Sequence, residues 1–261
     1  MDGEAFFRRL GEDLFEATNW TRGPWDPAYQ HGGPPSALVT GRLEAMLRDA
    51  FRVVRVSIEI PRPVPVGKLR LERAVRRDGS SVRILTGRLL NEEGKLVLSA
   101  EVLALAIAEL DFGADPPPMD EDTPDNGRSE RFPFFDALDN YAAAMELRFT
   151  RGAFGHGDVM AWLRMRTSLL EGEDPSPLER VMVAADSGNG VSQRLSVRDF
   201  TFVNPDLTVT LHRQPEGEWI GLGARTDLDG CGVGVADTRL YDIRGPIGRG
   251  VQTLVIRRRS L

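Results

Sequence analysis

Asp186 is a carboxylate in an apolar setting. It follows Met182 by four residues and Leu178 by eight, so helical spacing puts it on or beside the apolar face of a helix predicted over 176–187. A charge there is costly unless it has partners or a task, and an anion close to a helix C-terminus meets an unfavourable dipole. The alternative is a solvated last-turn residue, because Ser187-Gly188-Asn189-Gly190 reads as a helix stop. Gln252 shares a strand face with Leu254 and Ile256, since side chains repeat every two residues. An amide on that face needs a hydrogen-bond partner, whether backbone, side chain or bound water. Asn204 opens Asn204-Pro205-Asp206, and Asn204, Asp206, Thr208 and Thr210 alternate onto one side, although Asn-Pro is equally a turn signal. His31-Gly32-Gly33-Pro34-Pro35-Ser36 leads into a second predicted helix. Two glycines there would let a ligand reach backbone N–H groups, whose dipole favours developing negative charge, or would simply permit close packing.

Other chemistries lack their signatures. The sequence holds no G-x-S-x-G elbow, no P-loop, no zinc-type spacing and no strand-linked G-x-G-x-x-G, so neither a metal nor a cofactor is expected. A Cys/His dyad from Cys231 with His31, His156 or His212 has no local motif behind it.

The elements that must position these residues occur twice. Phe51–Ile60 alternates, with Val54, Val56, Ile58 and Ile60 on one side. Lys68–Val75, with Leu69, Leu71 and Val75 together, Ser81–Leu90 and Leu96–Ile107 follow, separated by turns at Gly67, Asp78-Gly79 and Glu93-Gly94, which predicts an antiparallel meander. A second meander is predicted over 200–213, 218–226, 232–241 and 248–258. The punctuation is shared: 213−62 (Arg), 230−79 (Gly) and 245−94 (Gly) all give 151. Each copy is preceded by a helical stripe, at 34–49 (Val39, Leu43, Met46, Leu47, Ala50) and at 176–187 (Leu178, Val181, Met182, Ala185). Ala142–Thr150 and Val159–Leu169 read as further strands. Residues 111–135 hold many acids and prolines and read as an exposed connector. The domains expected are therefore 1–110, a linker over 111–140, and 141–261.

Composition sets outer limits. A net charge of −6 argues against nucleic acid as the main partner. Arg257-Arg258-Arg259 is a local exception, either a solvated tail or a clamp for a phosphate. One cysteine fits a reducing cytoplasm, the acidic amphipathic N-terminus does not read as a signal peptide, and no apolar run of 18 residues predicts a membrane span.

Gln30-His31-Gly32-Gly33-Pro34-Pro35-Ser36-Ala37-Leu38, then an alternating strand ending in Pro61-Arg62-Pro63, resembles the thioesterase-like double-hotdog proteins related to acyl-CoA thioesterase II. Asn204-Pro205-Asp206-Leu207-Thr208-Val209 leading to His212-Arg213, and Gly250-Val251-Gln252-Thr253 in the last strand, are similar to the same family. The resemblance implies an α+β fold in which two curved antiparallel sheets each wrap a central helix. It implies hydrolysis of an acyl-CoA or acyl-carrier thioester by an activated water, with no covalent intermediate. Asp186 would be the base, Asn204 (where acyl-CoA thioesterase II carries Thr) and Gln252 would hold the water, and His31, Gly32 and Gly33 would bind substrate near the carbonyl oxygen. A non-catalytic acyl-thioester binder and a hotdog enoyl-thioester hydratase with an Asp/His pair are the competing expectations. Because hotdogs pair through their sheets, a homodimer or higher homo-oligomer is expected.

Overall fold

A computed structural model describes residues 4–110, 122–135 and 139–259. In chain order the elements are β1 (Ala5–Arg9), β2 (Leu14–Ala17), α1 (Gly33–Glu44), β3 (Phe51–Glu59), β4 (Lys68–Asp78), β5 (Val82–Leu90), β6 (Leu96–Ala106), β7 (Arg128–Glu130), α2 (Tyr141–Ala144), β8 (Met145–Arg151), β9 (Asp158–Met165), β10 (Ser168–Leu170), α3 (Pro177–Ala185), α4 (Gly188–Val191), β11 (Phe200–Val203), β12 (Asp206–Leu211), β13 (Ile220–Asp229), β14 (Val233–Asp242) and β15 (Gly245–Arg258).

The two halves share one strand order. In the first, β2, β4, β5, β6 and β3 lie side by side; in the second, β9, β13, β14, β15 and β12 do, each group closing around the helix between its first and second strand in sequence. That is a hotdog repeated. The repeats join edge to edge through antiparallel pairing of β3 with β12, with Ser57 opposite Thr208, so the sheet is continuous. β10, from the second half, also pairs in parallel with β1 at the outer edge of the first.

Packing explains why α1 is buried nearly all round. Its residues from Gly33 to Gly41 are covered on one side by the sheet and on the other by α3, as expected of a helix without a polar face. Pro34 and Pro35 occupy its first turn, where no N–H bond is lost. Gly33 lies against the Val183 carbonyl and Gly41 against the Glu179 carboxylate, so the two helices run antiparallel, and a methyl group at either glycine would collide. α3 opens with a capping box in which Ser176 accepts from Glu179 N–H and Glu179 accepts from Ser176 N–H.

Several expectations need correction. The first helix stops at Glu44 rather than reaching 49, because tight turns from Met46 and Leu47 back to Leu43 and Glu44 lead the chain toward β3. The inward set of β3 is Val53, Val56 and Ile58, because a bulge between Val53 and Arg55 shifts the alternation and leaves Val54 only half-buried. Val75 is 50 % exposed, at the start of a second bulge. The connector is not simply exposed: β7 pairs with β8, and Phe132 is buried in an aromatic cluster with Phe134, Phe135, Phe154 and Tyr141. Residues 111–121 and 136–138 of the expected linker lie outside the described residues. The N-terminal strands were not foreseen. Ala5, Phe6 and Phe7 of β1 are buried, a cluster too short to show periodicity.

Candidate active site

Asp186 is the C-cap of α3, and the chain continues through Ser187 into α4 instead of leaving the helix layer. This continuation, which the glycines of 188–190 disguised, keeps Asp186 under the sheet at 5 % exposure. A buried carboxylate must be hydrogen-bonded, and the sheet supplies the donors. Asn204 Nδ2 reaches Asp186 Oδ1 at 2.8 Å. Gln252 Nε2 reaches the same oxygen at 3.1 Å and the Asp186 carbonyl at 3.1 Å. Gln252, itself 1 % exposed, is fixed in turn because its Oε1 accepts from Asn189 N–H at 3.1 Å. Asn204 sits at the break between β11 and β12, where its second amide hydrogen bonds the Asp206 carbonyl. Two amides, one at the β11–β12 break and one on β15, thus converge on one oxygen.

The other oxygen, Oδ2, faces the first half of the chain. His31 Nδ1 lies 3.0 Å from it. Gly33 N–H points at that same nitrogen from 3.2 Å, so Nδ1 is placed to accept. Burial lowers the His31 pKa, opposed by the Asp186 charge, which favours a neutral imidazole near pH 7 with an acceptor nitrogen available. The ring stacks on Tyr141 with centroids 3.7 Å apart and planes 2° from parallel. Tyr141 is locked from behind: its hydroxyl contacts the Val183 carbonyl at 3.0 Å and Ser187 Oγ at 2.7 Å. Burial pushes the phenol pKa up, Ser187 opposing and the Asp186 charge adding to it, so the group remains protonated. A Cβ on Gly32 would come within 3.0 and 3.1 Å of the two Asp186 carboxylate oxygens. Only glycine lets the backbone approach this closely.

These groups border a cavity of about 290 Å³ lined by residues of both halves. Asp186, Asn204, His31 and Gly32 form one wall; Trp25, Phe132, Phe134, Phe135 and Phe202 supply apolar surface. Among the described residues none donates a hydrogen bond to Oδ2, and Asp186 borders this space. The structure therefore gathers Asp186, Asn204, Gln252, His31, Gly32 and Gly33 into one place. It differs from expectation in what they touch: the amides hold the carboxylate itself, and His31 contacts Asp186. Tyr141, Ser187 and Asn189 were not foreseen as members. Phe132-Pro133-Phe134-Phe135, an aromatic run inside a Pro- and acid-rich stretch, was a readable signal for the apolar wall.

Two tandem hotdogs with a clamped carboxylate at the inner end of the second helix define a class, and sequence comparison agrees. Residues 21–108 match the acyl-CoA thioesterase N-terminal domain and residues 113–256 the acyl-CoA thioesterase C-terminal domain. The chain belongs to the acyl-CoA thioesterase family and is a thioester hydrolase. No curated protein sequence matches it at a significant level. Among solved structures, a protein of unknown function with a hot dog fold from Alicyclobacillus acidocaldarius is similar at a TM-score of 0.76 and 13 % identity, covering 97 % of this chain and 96 % of that one. The acyl-CoA thioesterase II TesB2 from Mycobacterium marinum is similar at a TM-score of 0.66 and 12 % identity, with 97 % and 96 % covered. At such identities these likenesses show the fold.

Proposed function

We propose that the chain hydrolyses acyl-CoA thioesters by direct attack of a water activated by Asp186. One observation carries this reading: Oδ1 of a buried carboxylate is held by two amide donors while Asp186 borders an apolar cavity. The acyl chain lies among the phenylalanines, and the thioester carbonyl lies beside Oδ2. The water oxygen bonds the carbonyl carbon as its proton passes to Oδ2; the C–S bond then breaks and the thiol leaves as its anion. General-base assistance of this kind contributes about 10²–10⁴-fold. His31, whose Nδ1 lies 3.0 Å from Oδ2, stands beside the carboxyl that gains this proton. Asn204 and Gln252 fix the angle of attack by fixing the carboxylate.

A screen of acyl-CoAs of varied chain length, read by free thiol release, tests the proposal; no release from any of them would overturn it. The Asp186–His31 contact also suits hydration of an enoyl thioester, so the screen includes an enoyl-CoA, whose loss of ultraviolet absorbance without thiol release would favour that reading. For the assembly we expect a homodimer, and a monomeric mass by light scattering would count against it.

A further inference from the structure

The 151-residue repeat pairs Arg62 with Arg213, and the two have different fates. Arg213 forks onto fully buried Asp242 and also donates to the carbonyls of Pro246 and Gly245. Arg62 makes the matching bond, to the Leu96 carbonyl at 2.9 Å. Its matching acid is absent, because the position 151 residues before Asp242 (242−151 = 91) is Asn91. Among the described residues no carboxylate pairs with Arg62, which is exposed on the wall of the cavity.

More cations stand behind Trp25, a residue of the cavity wall. Arg259 lies 5.8 Å from the ring centroid of Trp25, which lines the cavity and packs edge-on against Phe202. Arg258 lies 5.2 Å from the Phe200 ring and is paired with Phe200 across β11 and β15. Arg198 is exposed on the segment that precedes β11, and Arg259 is tied to that segment through the carbonyls of Asp199 and Val197. Among the described residues none of Arg62, Arg198, Arg258 and Arg259 has a carboxylate within ion-pair distance, whereas Arg225, Arg244 and Arg249 of the same half do. The nearby acids on these segments are Asp26, engaged by Ala28 N–H, and Asp199. Phe200 precedes Asn204 by four residues, roughly 13 Å along a strand, so this rim stands well back from the reacting carbonyl, as the phosphates do at the far end of a pantetheine arm.

We infer that Arg62, Arg198, Arg258 and Arg259 form a binding rim for the phosphate groups of coenzyme A, with Trp25 and Phe200 fixing two guanidiniums by stacking. Arg suits this role because its planar fork binds phosphate bidentately and tolerates an aromatic face. The inference rests on the CoA reading of the substrate, but its test does not need turnover. Binding of coenzyme A and of pantetheine, which lacks the phosphates, is measured by calorimetry on the intact protein. Coenzyme A is expected to bind more tightly, with an affinity that falls as salt rises. The double variant Arg258→Gln/Arg259→Gln is expected to weaken coenzyme A by about tenfold and to leave pantetheine unchanged; Arg62→Gln acts in the same direction. Arg77→Gln, on the β4–β5 hairpin, removes a charge elsewhere and should change neither. Equal affinities of the wild type for the two ligands, or an equal loss in Arg77→Gln, would overturn the rim. A rim that fails while acyl-CoA and acyl-pantetheine are hydrolysed alike leaves the hydrolytic reading standing; coenzyme A binding without hydrolysis does the reverse.

Discussion

Gln252 faces Ala236 across the β14–β15 ladder, and Val102 faces Leu85 across β5–β6. The offset 236−85 is 151, so Gln252 and Val102 occupy one position of the repeat. Asn204 and Val53 are likewise 151 apart, each at an irregularity of its strand, the bulge in β3 and the break between β11 and β12. Two amides in the second half thus correspond to two buried valines in the first. The helix contact is exchanged as well. In the first half Val39 lies over Gly87 of β5; in the second Gly188 lies against Thr238 of β14, 151 residues on from Gly87. One copy of the repeat uses this position for packing and the other for chemistry. The lesson is that a hotdog provides the place, and its occupants decide whether it acts. The first half still contributes, since His31, Gly32 and Trp25 complete the cavity at the second site.

The contrast can be broken most sharply at Asp186. Asp186→Asn keeps the shape but loses the basicity, and turnover should fall by about 10²-fold or more with little change in KM. Melting temperature measured on the same sample separates lost chemistry from lost fold. Gln252→Val gives the second half the residue type of the first. It removes one donor from Oδ1 and leaves Asn189 N–H unpaired, and misplacement of the base should reduce kcat by up to about 10²-fold. A kcat within a factor of two of wild type would show that Asn204 alone holds the carboxylate.

The converse change, Val102→Gln, puts an amide among apolar neighbours with no carboxylate to bond. It should destabilise by about 1–3 kcal/mol in chemical denaturation and confer no activity. The smallest effect concerns pH. The His31 pKa is lowered by burial from 6.5, so the unfolded chain binds its proton first as pH falls. The stability associated with neutral His31 is complete above about pH 6.5 and is lost as pH falls toward the folded-state pKa. His31→Phe, which retains the stack on Tyr141, should therefore lose less stability than wild type between pH 7.5 and 5.5. Equal losses in the two proteins would remove His31 from the account.

The duplication was legible because turns and strand alternation repeat at a fixed interval, and Gln252 was legible because an amide interrupts an apolar face. The bulge at Val53 was not, since a single inserted residue changes facing without changing composition. Nor was the placement of His31 against Asp186. They are 155 residues apart (186−31) and meet only because α1 and α3 pack antiparallel through Gly33 and Gly41. Tyr141 and Asn189 act through backbone and ring contacts that leave no spacing in the sequence.

Direct attack by water on the thioester, with Asp186 as base, leaves an isotopic signature. A single turnover with excess enzyme in oxygen-18 water, using an acyl-CoA that the protein hydrolyses, tests it most directly. Direct attack puts the heavy oxygen in the released fatty acid and none in the peptide containing Asp186. Heavy oxygen in the Asp186 carboxylate, with an unlabelled product, would show that the carboxylate itself attacks through an acyl anhydride and would rule out water as the attacking group.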